Sequence, residues 1–128
     1  MHAVDVVTDL LAAFNAGDLE RMRELLDPDL VAWVTNAEGE ADRVVGRDEY
    51  LAGIAAMDLP AARYRVTLTQ SPVTVDEHLV LVMVEVQAER NSRRLQNFAA
   101  FLLRVEAERV TEWRMVDAKP AESDEFWS

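Results

Sequence analysis

The residues best suited to proton transfer lie in the predicted last strand, residues 110–117. Side chains alternate along a strand, which places Thr111, Trp113, Met115 and Asp117 on one face. A carboxylate in an apolar cleft loses hydration, and this loss disfavours its charged form and suits it to general acid–base catalysis. Asp117 is therefore the first candidate for a catalytic residue.

An amide is predicted beside this carboxylate. If residues 106–108 form a three-residue turn, the opposed pairs are Phe101 with Trp113, Ala99 with Met115 and Asn97 with Asp117. A turn longer by two residues leaves Asn97 diagonal to Asp117. Asn97 can then orient the carboxylate or polarise a substrate carbonyl. The alternative is structural, because an aspartate that ends a strand before Ala118-Lys119-Pro120 often caps a turn or pairs with a nearby base.

Other side chains complete the predicted site. His78 stands where a loop becomes a strand, so it is either a solvated edge residue or, at the mouth of a curved sheet, a second acid–base group. Tyr50 offers a phenol at the mouth, and the indole N–H of Trp33 or Trp113 can donate to a substrate oxygen. The predicted substrate-binding residues are aromatic or aliphatic: Phe14, Trp33, Tyr50, Val84, Phe101, Trp113 and Met115.

Three helices are predicted in the first half of the chain. Gly17 suits the left-handed end of the first helix, Asp18 caps the second, and the second must end before Pro28. The predicted elements of this half are helices at residues 3–15, 19–26 and 47–57, a strand at 30–35 and a polar loop at 36–43.

From residue 62 onward the apolar period changes to two, which predicts an antiparallel sheet. Asn91-Ser92 fits a two-residue hairpin turn that pairs Val80 with Leu103. One face of this hairpin is almost entirely apolar and must be covered by the helices. The other face carries a second apolar group, which predicts a homodimer interface there: Leu81, Met83, Phe98 and Leu102.

Composition restricts the partners. The 128 residues include 13 Lys and Arg against 24 Asp and Glu, a formal net charge of −11, which argues against binding to nucleic acid or to an anionic membrane. No uncharged run approaches the roughly 20 residues of a membrane span. With no cysteine and no metal-ligand spacing around the two histidines, we expect no metal and no cofactor. A single domain over residues 1–128 and a cytoplasmic location are expected.

The last ten residues, 119–128, are expected to form a docking C-terminal tail. Phe126 and Trp127 follow an acidic run, and two large aromatic side chains free in water would favour aggregation. Helix one and the partner subunit are the predicted docking places.

Several stretches resemble the nuclear transport factor 2-like superfamily. Residues 11–19 (LAAFNAGDL), 26–29 (LDPD) and 45–48 (VGRD) are similar to its opening helix pair and its entry to helix three. Residues 109–117 (RVTEWRMVD) resemble the last strand of SnoaL-type polyketide cyclases. The resemblance implies an α+β cone, in which three N-terminal helices pack in the concave face of a curved antiparallel sheet and Asp117 faces the interior.

The resemblance implies chemistry at only one position. The last-strand aspartate of SnoaL-type cyclases matches Asp117, whereas the proton-transferring positions of ketosteroid isomerases correspond to Leu10, Val34 and Phe101. The Arg and Asp of one strand in limonene-type epoxide hydrolases correspond to Met83 and Glu85.

The prediction is a cofactor-free enzyme that cyclises, isomerises or dehydrates a hydrophobic, oxygenated small molecule. A non-catalytic ligand-binding or dimeric scaffold domain is the alternative, and an epoxide hydrolase is the third reading.

Overall fold

Four helices and a seven-stranded sheet form the fold of residues 2–128, the part of the chain that the computed structural model describes. In chain order the elements are α1 (Ala3–Ala16), α2 (Leu19–Leu25), β1 (Leu26–Thr35), β2 (Ala41–Val45), α3 (Arg47–Met57), β3 (Arg65–Leu68), β4 (Val73–Thr74), β5 (Leu79–Arg90), β6 (Arg93–Glu106), β7 (Arg109–Asp117) and α4 (Pro120–Trp127). The predicted α+β class is confirmed. Within these residues no helix is long and apolar enough to cross a membrane.

The junction between the first two helices follows the sequence signals. Gly17 has φ +64°, and a Cβ there would lie 2.7 Å from Cγ of Pro60, so both backbone and space require glycine. The Asp18 carboxylate accepts a 3.0 Å hydrogen bond from the backbone N–H of Arg21 and caps α2. The predicted ends of these helices are confirmed to within a residue or two.

The sheet is open, and it is mixed rather than purely antiparallel as predicted. Its strand order is β2-β1-β7-β6-β5-β3, with β4 paired to β5. Strand β1 runs parallel to β7, the last strand, and all other neighbours are antiparallel. An alternating pattern reports which face a side chain takes and not which way the neighbouring strand runs, so the sequence prediction missed this pairing.

The two long hairpins differ in how well their registers were predicted. Asn91 and Ser92 have φ of +51° and +62° and form the predicted turn, which pairs Val80 with Leu103 as expected. The second turn is Ala107-Glu108, not 106–108, and the register of β6 against β7 shifts between Arg104 and Val105. Phe101 therefore pairs with Met115 and Ala99 with Asp117, so Asn97 is diagonal to Asp117.

Three other differences lie at strand and chain ends. Strand β1 begins at Leu26, and its pairing with β7 skips from Leu26 to Val31 because Pro28 has no N–H to donate. The predicted loop at 36–43 is the turn of a hairpin, in which Asn36 Oδ1 accepts hydrogen bonds from the N–H groups of Glu38 (3.1 Å) and Glu40 (2.9 Å). The tail is a fourth helix that begins at Pro120, a residue whose fixed φ suits the first helical turn.

Helix α4 docks on the β5–β6 hairpin and not on helix one. Phe126 is 3% exposed and packs with Ala62, Ala88 and Leu95. The Arg90 guanidinium donates 3.0 Å hydrogen bonds to the carbonyl oxygens of Phe126 and Ser128, and thereby satisfies acceptors at the end of the helix. The docking place of α4 is thus set by Arg90 as well as by the Phe126 ring.

The two faces of the β5–β6 hairpin have different environments. On the helix-covered face Val80, Val82 and Leu103 are at most 1% exposed. On the outer face Met83 and Phe98 are each 44% exposed, and Leu81 and Leu102 are partly buried. The homodimer expected through this outer face stays a prediction.

Candidate functional site

A cavity of about 590 Å³ lies between the helix-covered face of the sheet and helices α1, α3 and α4. Most of its wall is apolar, and the volume falls in the range of sites that hold drug-sized molecules. Apolar side chains from α1, α3 and four strands contribute to the wall: Leu11, Phe14, Ile54, Met57, Val66, Val86, Phe101 and Met115.

Aromatic rings form one part of this wall around Trp113. Trp113 is 2% exposed, and the rings of Phe14 and Phe101 meet it edge-on with centroids 5.5 and 5.3 Å away. Tyr50 lies at 5.5 Å on the α3 side. Such edge-to-face pairs are favourable beyond the area they bury, so they hold the wall in place.

Asp117 ends β7 at the polar part of the wall. Its Oδ1 accepts hydrogen bonds from Asn97 Nδ2 (2.6 Å) and from the backbone N–H of Lys119 (2.8 Å), and its Oδ2 accepts one from Ser123 Oγ (2.7 Å). The three donors hold the carboxylate in a fixed orientation at the edge of the cavity.

Asn97 is the residue that joins this carboxylate to the sheet and to α4. It is 2% exposed, and its Nδ2 also lies within hydrogen-bond distance of Ser123 Oγ (2.8 Å) and of the Lys119 carbonyl oxygen (3.2 Å). On the β1 side, Thr35 Oγ1 accepts from the Asp117 N–H (3.2 Å) and donates to the Met115 carbonyl oxygen (3.0 Å). Both the backbone and the side chain of Asp117 are thus held by neighbouring elements.

Two phenols also line the cavity, Tyr50 and Tyr64. Burial raises the pKa of the Tyr50 hydroxyl well above its usual value, and the neighbouring Tyr64 adds to the shift. Burial raises the pKa of Tyr64 as well. Both groups therefore remain neutral hydrogen-bond donors at physiological pH.

Residues 7–113 match the SnoaL-like domain family. The chain belongs to this family. The predicted resemblance to this family is thus confirmed.

Relatives of this SnoaL-like domain do not assign it a reaction. It is 24% identical over 125 residues to uncharacterized proteins of Mycobacterium tuberculosis and Mycobacterium bovis, covering 98% of this chain and 95% of theirs. Bal32a, from a soil-derived mobile gene cassette, has a TM-score of 0.85 at 23% identity, covering 98% and 96% of the two chains.

Two solved structures with assigned chemistries share the fold. IdmH from Streptomyces antibioticus, a proposed polyketide cyclase, has a TM-score of 0.76 at 22% identity over all of both chains. An epoxide hydrolase from Mycobacterium tuberculosis, of the LEH-like kind, has a TM-score of 0.75 at 21% identity, covering 90% of this chain and 81% of its own. At this identity the similarity shows the fold alone.

Most of the residues predicted from the sequence meet at the cavity of this SnoaL-like domain. The predicted residues that line it are Phe14, Tyr50, Asn97, Phe101, Trp113, Met115 and Asp117. Tyr50 is buried in the wall rather than at the mouth, since it is 6% exposed. The Trp113 indole nitrogen has no hydrogen-bond partner in residues 2–128.

Three predicted site residues lie elsewhere. Trp33 is on the outer face, where the Arg114 guanidinium stacks 3.8 Å above its ring, because the parallel β1–β7 pairing places these two residues side by side. Val84 is 1% exposed and packs in the core without lining the cavity. His78 precedes β5, with Nδ1 3.2 Å from the Val105 carbonyl oxygen and Nε2 3.2 Å from Glu77, and it does not reach the cavity.

The contribution of α4 to the site was not predicted from the sequence. Pro120, Ser123, Asp124 and Trp127 all line the cavity. A proline followed by residues that favour helix was a readable signal for the helix, but its docking place depends on contacts far along the chain. In the described residues no group of three or more His, Asp or Glu side chains is arranged to hold a metal ion.

Proposed function

We propose that the protein is a small-molecule enzyme that binds a hydrophobic, oxygenated substrate in this cavity and moves a proton with Asp117. The reactions that fit are isomerisation, cyclisation and dehydration, each of which begins with removal of a proton next to a carbonyl. One observation carries the proposal: an oriented carboxylate lines a large and otherwise mainly apolar cavity.

The hydrogen bonds of the carboxylate leave room for this role. An ionised carboxylate offers about four acceptor positions, and its neighbours use two on Oδ1 and one on Oδ2. A position on Oδ2 thus remains for a substrate proton. Tyr50 can donate to the substrate oxygen and stabilise the negative charge that develops there.

A non-catalytic ligand-binding domain is the second candidate, and a specific observation favours it. All three donors to Asp117 come from this chain, and two of them, Lys119 and Ser123, belong to the start of α4. The same contacts would serve a carboxylate that only joins β7 to α4. The positions that match ketosteroid isomerases are apolar: Leu10, Val34 and Phe101.

Epoxide hydrolysis has less support from the geometry. Met83, which matches one of the polar residues of that reaction, is 44% exposed on the outer face. Glu85 accepts hydrogen bonds from Gln87 (3.3 Å) and Gln96 (2.6 Å), and neither Met83 nor Glu85 lines the cavity.

The test uses 2-tetralone, a neutral bicyclic ketone with acidic protons next to its carbonyl. Exchange of these protons in D₂O, followed by NMR, should be faster with the protein than in buffer alone. Asp117→Asn should lower the protein-dependent rate by about 100-fold or more. The variant can keep the local structure, because Ser123 Oγ can accept from the new amide instead of donating to the carboxylate.

Ser123→Ala is the matched control, since it removes one donor and leaves the carboxylate in place. It should lower the exchange rate by less than tenfold. Retained exchange in Asp117→Asn would contradict the catalytic role of this residue. Binding of 2-tetralone without any exchange by the wild-type protein would favour the non-catalytic candidate.

A further inference from the structure

The charged side chains that line the cavity are all acidic. They are Asp42 on β2, Glu49 on α3, Asp117 on β7 and Asp124 on α4, and no Lys, Arg or His of residues 2–128 is among the lining residues. Four elements thus bring one sign of charge to a single space. Such a wall attracts cations and repels anions.

Within the described part of the chain, these carboxylates have no ion-pair partner. In residues 2–128 none of the four forms an ion pair within 4.0 Å, and the hydrogen bonds to Asp42 and Asp117 come from neutral groups such as the Asn36 and Asn97 amides. The base nearest to Asp117 in sequence, Lys119, has its ammonium 4.0 Å from Glu122. No ion pair formed within residues 2–128 therefore neutralises the negative charge of the cavity.

Aromatic side chains line the same space. Phe14, Tyr50, Phe101 and Trp113 line the cavity, and the faces of such rings attract organic cations. Trp113 gives an independent indication of a ligand: it is 2% exposed, lines the cavity, and its buried indole nitrogen has no hydrogen-bond partner in residues 2–128. A buried donor without a partner is costly unless a bound molecule accepts from it.

We propose that the cavity selects ligands that carry a protonated amine on an apolar ring system and excludes carboxylates and phosphates. The inference rests on the proposed function to the extent that a small molecule must occupy the cavity. It adds the charge of that molecule, which the proposed reaction leaves open. The ring system packs against the aromatic wall, while the ammonium group lies toward the unpaired carboxylates.

The test compares three probes of nearly equal size and shape. They are 2-naphthylmethylamine, 2-naphthylmethanol and 2-naphthoate, which at pH 7 are cationic, neutral and anionic, and titration can follow their naphthalene fluorescence. The amine should bind at least tenfold more tightly than the carboxylate, with the alcohol between them. The preference should shrink as salt rises, because salt screens the exposed carboxylates of the cavity, Asp42, Glu49 and Asp124.

Two double variants locate the source of any preference. Glu49→Gln with Asp124→Asn removes two of the four charges that line the cavity and should reduce the ratio of amine to carboxylate affinity by threefold or more, with little change for the alcohol. Glu20→Gln with Asp29→Asn removes the same net charge from exposed positions outside the cavity and should leave the ratio unchanged.

The outcomes separate the two proposals. Equal binding of the three probes, tightest binding of the carboxylate, or an equal loss of preference in both double variants would overturn the charge selectivity and leave the proposed function standing. Binding of none of the probes, the neutral alcohol included, would remove the cavity as a ligand site and both proposals with it.

Discussion

The interior of this protein has two regions built from the same kinds of residue but filled to different degrees. The filled region consists of side chains that are completely buried and do not line the cavity: Val6, Val7, Leu10, Leu26, Leu30, Val80, Leu103 and Val110. The cavity lies beside it and has the aromatic wall around Trp113. Helix α1 contributes to both regions, with Leu10 in the first and Leu11 in the second. Apolar character alone therefore does not tell a core residue from a ligand-binding one.

The largest expected effect compares these adjacent leucines. Leu10→Ala should lower the free energy of unfolding by about 3–5 kcal/mol, since it opens a void in packed surroundings. Leu11→Ala should cost about 1–2 kcal/mol, because its side chain already borders empty space. Chemical denaturation of both variants measures the difference, and the change in helix propensity is the same in each. Equal losses would contradict the distinction between the regions.

The second prediction concerns α4. This helix lines the cavity with Ser123 and Trp127, but Phe126 anchors it in a separate apolar cluster with Ala62, Ala88 and Leu95. Phe126→Ala should cost about 2 kcal/mol, the value of burying one such ring, and should release α4 while the sheet stays folded. Hydrogen exchange should then increase in residues 118–128 and not in β5 or β6. Ligand binding should weaken too, because Ser123 and Trp127 leave the wall.

Glu125→Ala is the control for this helix. Its side chain is exposed, and Arg93 contacts only its backbone carbonyl oxygen, at 3.1 Å. This variant should leave both exchange and binding close to wild type. Global unfolding of Phe126→Ala, in place of local release, would show that α4 is part of the filled region.

Local patterns predicted much of this structure because the deciding interactions are close in sequence. Gly17 and Asp18 mark the junction of α1 and α2 within a few residues, and the Asn91-Ser92 turn sets the register of all of β5 against β6. The predicted grouping of Asn97 with Asp117 followed from the same kind of reasoning. Even with the second turn wrong by one residue, strand alternation kept both side chains on one face.

The predictions that were wrong depended on contacts between distant parts of the chain. Trp33 was placed in the cavity because β1 was read without its neighbour, and its pairing with Arg114 of β7 cannot be derived from either segment alone. The same is true of Ser123, whose place beside Asp117 depends on where α4 docks. The four carboxylates that line the cavity belong to four different elements, and only the folded structure brings them together.

The smallest expected effect is the pH dependence that the cavity phenols give to stability. A tyrosine in the unfolded chain ionises near pH 10, whereas burial holds the pKa of Tyr50 well above that value in the folded protein. Below pH 10 the phenol is neutral in both states and its contribution to stability is complete. Above pH 10 the unfolded state loses the proton first, so the free energy of unfolding falls as pH rises.

Tyr50→Phe should therefore show a shallower decline in the free energy of unfolding between pH 9 and 11, measured by urea denaturation. At pH 7 this variant should change the free energy of unfolding by less than about 1 kcal/mol, since the hydroxyl has no partner to lose. Tyr64→Phe should reduce the decline as well, because burial raises the pKa of this phenol too. The filled region has no titratable side chain, so an unchanged slope in the Tyr50→Phe, Tyr64→Phe double variant would place the source of the alkaline decline outside the protein interior.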